Sequence, residues 1–513
     1  MAAPALERRW FLAAAVVVAV AGTAWLGAGV YTRRTLAASV PALPDLHTLP
    51  AAVQTAVREA DAQARSSPDA SSLGVLGRAY HAAQLPDAAL AAYVVAESLA
   101  PDDWTWTYHR ALVLEERGDP QAREVFARVT ERAPDQGYAW FRLAEADFKA
   151  GRVAEAQAAY ARAETAPAGP AFTPEGVTAR QTWPLGAYAG LGLARIAIEQ
   201  GDPDPARTRL AALSQRYPAF VPARGLLRQL DRGQTDASGS YVPPADPVVD
   251  ALVASSVHSD LLLKYAGLAT RAGDDGWREF LARRALRFNP DDLNVLMEMA
   301  AMLQATNRSA EALTFLTRHE ALSPGDHHSL VEQGRVLGDL GRLGEAEAVL
   351  RRAAAVRDAA AEYNLGTVLG RQDRWDEARA HYERALTINP FLTRAMNNLG
   401  VGLDRRGQTP AAIGWFEKAI AIAPDAGEFY VNYGSALIQA RRIDDAVRAL
   451  TTAVSLTPRD PNAHNNLGIA LASQGQLPSA RDAFARALDL DPRHPNARRN
   501  FERVTATLRA ARP

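Results

Sequence analysis

Between residues 357 and 492 one pattern recurs four times at a spacing of 34 residues, without gaps. A strict period of this length confines a chain to stacked copies of one small unit. With Gly366, Gly400, Gly434 and Gly468 as the reference column, a Leu follows three residues on in every copy (Leu369, Leu403, Leu437, Leu471). An Ala falls at twelve (Ala378, Ala412, Ala446, Ala480), a large apolar residue at sixteen (Tyr382, Phe416, Leu450, Phe484) and a second Ala at nineteen (Ala385, Ala419, Ala453, Ala487). A Pro closes each copy, at Pro390, Pro424, Pro458 and Pro492. The small, large, small stripe lies on one helical face, so a second helix can approach it closely. The unit is therefore a helical hairpin. Its turn falls near Gly407 and Gly475, where a positive φ costs little, and its Pro ends the second helix by withholding a backbone donor. A lone hairpin cannot bury its apolar face, whereas stacked neighbours can. The predicted fold class is all-α, an α-α superhelix.

Degenerate copies extend the pattern towards the amino terminus. Residues 69–101 place Gly77, Tyr80, Ala89, Tyr93, Ala96 and Pro101 in the same columns. The copies at 102–134 and 135–167 each run one residue short but keep Ala122, Phe126 and Pro134, then Ala156, Tyr160, Ala163 and Pro167. Residues 168–184, with Pro170, Pro174 and Pro184, interrupt the period before a fourth copy at 185–218 and one closing helix. A first array is thus expected over 69–231. Residues 232–247 are rich in Gly, Ser, Thr, Asp and Pro and read as a linker. A second array of about seven copies is expected over 248–492, closed by a capping helix over 493–513 with Phe501, Val504 and Leu508 on one face.

At the amino terminus, Trp10 to Tyr31 form 22 uncharged positions between two pairs of arginines. As a helix this stretch spans about 33 Å, enough for a hydrocarbon layer of about 30 Å. It exceeds the apolar core of about 7 to 15 residues that a cleaved signal peptide carries. Residues 1–34 are therefore expected to be a single-pass transmembrane anchor. Residues 35–68 read as a juxtamembrane spacer with a short helix showing Val53, Val57 and Ala60 on one face. Two arginines flank each end of the span, so charge does not fix its orientation. A short head before a large body favours arrays on the extracytoplasmic side.

Composition removes several classes of function. A formal net charge of −1 leaves no basic field for nucleic acid. Without a single cysteine there is no disulfide, no thiolate metal site and no cysteine nucleophile.

The segments Ala395–Gly400 and Ala463–Gly468, both reading Ala-x-Asn-Asn-Leu-Gly, together with the two Ala columns and the closing Pro, resemble the tetratricopeptide repeat. The resemblance implies a right-handed superhelix whose first helices line a concave groove that binds proteins or peptides. An Asn stands two residues before the reference Gly in all four strong copies: Asn364, Asn398, Asn432 and Asn466. Asn397 and Asn465 lie beside them. An amide offers both a donor and an acceptor, so such a row can hold the backbone of an extended peptide without reading its side chains. The row resembles the asparagine ladder in the superhelical repeat domain of O-linked N-acetylglucosamine transferase. A second reading stands open: the same amides bond neighbouring repeats to one another. The groove of heat-shock co-chaperones needs a Lys where this chain has Tyr363, Asn397, Val431 and Asn465, so an acidic chaperone tail is not the expected ligand. In the first array Trp104 and Trp106, two apart, cannot face one core, and are either packing residues or an aromatic contact for a partner.

His327 and His328 lie at a repeat junction without further ligands, and no phosphate loop, metalloprotease helix or nucleophile elbow occurs. The expectation is a non-enzymatic, bacterial-type membrane scaffold without cofactor or metal, serving envelope assembly or export. The alternatives are a targeting subunit for a separate glycosyltransferase, or a regulatory repeat protein facing the cytoplasm.

Overall fold

The computed structural model describes residues 36–167, 172–175, 177, 180, 182–233 and 243–510. The expected anchor at 10–31 lies outside these residues. Among the described residues no helix is long and apolar enough to cross a membrane, and no strand occurs. The chain divides into two compact units, Met1–Met302 and Leu303–Pro513.

In the second unit the strong copies are four hairpins. They pair Ala359–Arg371 with Trp375–Ile388, Thr393–Arg405 with Thr409–Ile422, Gly427–Gln439 with Ile443–Leu456, and Pro461–Ser473 with Leu477–Leu490. The reference Gly column has a steric cause. A β-carbon at Gly400 would lie 2.6 Å from the Phe416 ring, and one at Gly468 2.6 Å from Phe484. The first helix can therefore approach its partner only where it lacks a side chain. Phe416 and Phe484 are fully buried, each stabilising its hairpin by about 1.5–3 kcal/mol. Every hairpin turn in this run has one residue at positive φ, again 34 apart: Asp373, Gly407, Arg441 and Gly475. The helix Pro495–Ala510 covers the last hairpin through Val504, Phe501 and Leu508. Successive first helices touch one another along the stack, as Ala359–Arg371 does Thr393–Arg405. They therefore occupy the inner, tighter curve of this unit.

The first unit opens with the helix Ala51–Ser66, in the segment expected as a spacer. Its Val53, Val57 and Ala64 share one core with Leu73, Leu76 and Tyr80 of the first hairpin. Four hairpins follow, with first helices Ala70–Ala82, Trp104–Glu116, Gly137–Lys149 and Leu185–Glu199, and then the single helix Val221–Asp231. The chain next forms Pro247–Ser255, Ser259–Ala272 and Asp275–Phe288. Val249, Val253, Leu262, Ala266 and Trp277 of these helices belong to the same core as Tyr108, Phe126 and Phe141. Residues 247–288 are thus folded back onto the first four hairpins.

Candidate peptide-binding groove

Residues on the first helices of the first unit meet the chain's own downstream segment. The Tyr108 hydroxyl donates to Asp246 at 2.5 Å, and Arg142 bridges Glu115 at 2.7 Å and Asp246 at 3.4 Å. Asp246 also caps Pro247–Ser255 by accepting from the Val248 amide. Arg180, nearly buried, bridges Asp250 at 2.7 Å and Asp274 at 3.0 Å while its guanidinium lies 4.4 Å from the Trp277 ring centre. Glu116 joins His81 at 3.2 Å to Lys264 at 3.6 Å. Burial raises the Glu116 carboxyl, but the hydrogen bond from His81 and the charge of Lys264 outweigh it and hold the group low. Burial pushes Asp250 up to about 6, against the pull of Arg180. A cavity of about 280 Å³ remains beside these pairs. Inner-face residues Tyr108, Glu115, Glu116 and Arg142 are therefore engaged within the chain.

Trp106 is buried where Gly74 has no side chain; a β-carbon there would lie 2.2 Å from the indole. Trp104 is half-buried, edge-on to Tyr108. The two tryptophans do face different ways, and each way meets protein.

Along the second unit the Asn row divides. The Asn432 amide donates to the Asn397 side-chain oxygen at 3.0 Å, one repeat earlier. Asn500, on the closing helix, makes the same bond to Asn465 at 3.1 Å. Asn500 stands 34 residues after Asn466 and so extends the column by one position, which the period itself could have disclosed. The previous repeat offers Asn398 and Asn466 no such acceptor, because Tyr363 and Val431 hold the corresponding positions. Asn398 donates instead to the Tyr382 hydroxyl at 3.4 Å, and Asn466 accepts from its neighbour Asn465 at 3.1 Å. Asn364 has no hydrogen-bond partner among the described residues. These three are half-buried, as are Asn397 and Asn432.

Next to Asn398 the inner face widens into a hollow of about 760 Å³ lined by Thr367, Gly370, Arg371, Trp375, Arg405 and Arg406, among others. Two glycines shape it. A β-carbon at Gly402 would lie 1.8 Å from the Trp375 ring, and Gly370 has only the Tyr382 hydroxyl and Ala378 within 4 Å. The Arg406 guanidinium stacks 4.7 Å from the Trp375 ring centre.

Among the described residues no three His, Cys, Asp or Glu side chains are grouped to hold a metal ion. His327 approaches Asp358 at 3.5 Å.

Family models described as tetratricopeptide repeat match residues 120–170 and 433–495, 357–425, 188–219 and 327–352. No curated protein matches the chain. Solved structures that align with it include the APC/C hetero-tetramer Cut9–Hcn1, 12% identical over 88% of this chain and 93% of that one, at TM-score 0.41. A tetratricopeptide repeat protein from Parabacteroides merdae aligns at 15% identity over 48% of this chain and 98% of that one, at TM-score 0.40. MamA protein aligns at 22% identity over 33% of this chain and 92% of that one, at TM-score 0.28. The 34-residue period, the hairpins that carry it and the matched family models together identify residues 120–170, 188–219, 327–352, 357–425 and 433–495 as tetratricopeptide repeats.

Proposed function

We propose that the chain is a scaffold that holds an extended polypeptide along the inner face of its carboxy-terminal repeats, with Asn364, Asn398 and Asn466 gripping the peptide backbone. The observation that carries this reading is the contrast between the two inner faces. In the first unit Tyr108, Glu116 and Arg142 are occupied by the chain's own helices, whereas three amides of the second stay half-exposed. An amide pairs with a peptide N–H through its oxygen and with a carbonyl through its nitrogen, so the grip is indifferent to side chains. Residues 10–31, by their length and lack of charge, would fix the scaffold to a membrane with its repeats on the extracytoplasmic side, where envelope assembly or export supplies extended chains.

Two experiments test this. A fluorescent 20-residue Ser/Ala/Thr peptide is titrated against the full chain, beside the same peptide N-methylated at alternate residues. Backbone recognition requires the methylated peptide, and the triple variant Asn364→Ala, Asn398→Ala, Asn466→Ala, to bind at least about tenfold more weakly. Equal binding in both comparisons sinks the backbone grip. Paired fusions of alkaline phosphatase and a fluorescent protein after Pro513 test the location; fluorescence without phosphatase activity would place the repeats in the cytoplasm.

A further inference from the structure

We propose that the hollow between Ala359–Arg371 and Thr393–Arg405 receives an acidic side chain, aspartate or glutamate, of the polypeptide held along the groove; this rests on the peptide-binding reading above. The first support is charge. Three guanidiniums, Arg371, Arg405 and Arg406, line the hollow against one carboxylate, Asp373. The chain as a whole is balanced at −1, so this is a local excess. Arg405 is exposed and has no partner of any kind among the described residues. Arg371 is bound only to the Gly338 carbonyl at 2.6 Å. Arg406 donates to the Gly402 carbonyl at 3.4 Å and reaches Asp373 at 3.7 Å, a carboxylate whose side chain is 99% exposed and whose charge is therefore largely screened.

The second support is the cost of the hollow's shape. Gly370 and Gly402 are helix residues, and a glycine inside a helix destabilises it by about 1 kcal/mol relative to alanine. The repeats that follow put Asp404, Ile438 and Ala472 where this one has Gly370, and Ala436 and Ala470 where the next has Gly402. Only at the junction of the first and second strong copies are both side chains missing. The result is an indole floor with a guanidinium stacked on it, beside a row of polar groups running from Asn398 through the Tyr382 hydroxyl to Thr367. A carboxylate entering this space meets planar donors suited to bidentate pairing and offsets part of the local positive excess.

The test uses the full chain and the 20-residue Ser/Ala/Thr peptide with two central residues changed to Glu, Gln or Lys. The Glu peptide is expected to bind at least tenfold more tightly than the Gln peptide, and the Lys peptide more weakly than both. Arg405→Glu should abolish the advantage, while Arg405→Lys keeps part of it. Both variants should melt as the parent does, because Arg405 is exposed. Equal affinity for the Glu and Gln peptides overturns the acidic pocket and leaves the backbone grip standing. Failure of every peptide to bind defeats the groove reading, and the pocket with it. Free glutarate is the remaining arm. If it binds as tightly as the Glu peptide, the hollow serves a small dicarboxylic acid, and the polypeptide reading of this pocket is overturned.

Discussion

Asn432 donates its side-chain amide to the side-chain oxygen of Asn397 at 3.0 Å, across the boundary between two repeats. Asn500, on the closing helix, repeats the bond to Asn465 at 3.1 Å at the end of the stack. The row of asparagines thus contains two populations that spacing alone cannot separate. Where two adjacent Asn residues precede the reference Gly, the earlier one supplies an acceptor for the next repeat. Elsewhere the side chain bonds a local group, as Asn398 does the Tyr382 hydroxyl and Asn466 the Asn465 amide, or, as at Asn364, has no hydrogen-bond partner among the described residues.

The two populations should respond differently to truncation. Asn432→Ala and Asn500→Ala each remove an inter-repeat bond and should cost about 1 kcal/mol of stability, more at Asn500, where the partner amide is buried. Asn364→Ala should leave the melting transition within about 0.5 kcal/mol of the parent, since it loses no protein partner. Chemical denaturation followed by circular dichroism checks both; a loss at Asn364 equal to that at Asn432 would contradict the division.

Arg441 occupies a hairpin turn at φ 61°, in the place where Gly407 and Gly475 stand in the copies on either side. A side chain in the left-handed region costs about 1–2 kcal/mol, reduced for Asp and Asn, whose polar side chains bond locally. Arg441→Gly should therefore stabilise the second unit by about 1 kcal/mol, and Asp373→Gly by less. Thermal melts of the two variants decide it, and a destabilised Arg441→Gly protein would refute the strain.

The stack of hairpins was legible because its causes are local and repeat: a Gly beneath each ring at 34-residue spacing, a left-handed turn residue, a closing Pro. The return of residues 247–288 onto the first hairpins was not legible. Asp246 meets Tyr108 across 138 residues of sequence, and Arg180 meets Asp274 across 94. No period links these partners, and the Gly, Ser and Pro around residue 240 describe only the path between them. The tryptophans are an intermediate case. Their spacing shows that Trp104 and Trp106 face apart, but not that Tyr108 and Gly74 wait on the two sides.

Asp250 gives the first unit a pH dependence of known sign. Burial first, then the neighbouring Asp246 and Asp274, raise its carboxyl to about 6 from 3.8, while Arg180 pulls it down. A folded-state value above the unfolded one means that the stability this group contributes is fully present below about pH 4 and is lost as pH rises through about 6. Two units correspond to about 3 kcal/mol. Asp250→Asn is neutral throughout, so the stability difference between variant and parent should shift by about 2 kcal/mol in the variant's favour between pH 4 and pH 7. Urea denaturation at the two values measures it; a difference independent of pH rules it out.

Arg180 ties the fold-back of the first unit together through two buried ion pairs. Its side chain is 5% exposed and neutralises Asp250 and Asp274, themselves 7% and 3% exposed. Replacing it with Met keeps much of the apolar stem over Trp277 but strands two buried carboxylates, and breaking a buried pair in this way costs about 3–5 kcal/mol. Solenoid repeats exchange energy mainly with their nearest neighbours, so the loss should stay in the first unit. Calorimetry of Arg180→Met should show a transition from the first unit moved to lower temperature, with the transition of the second unit unmoved. Removing the acceptors as well, in Arg180→Met with Asp250→Asn and Asp274→Asn, should restore most of the difference, because no buried charge is then left without a partner. A triple variant as unstable as the single one would show that the guanidinium acts through packing on Trp277 rather than through its two ion pairs.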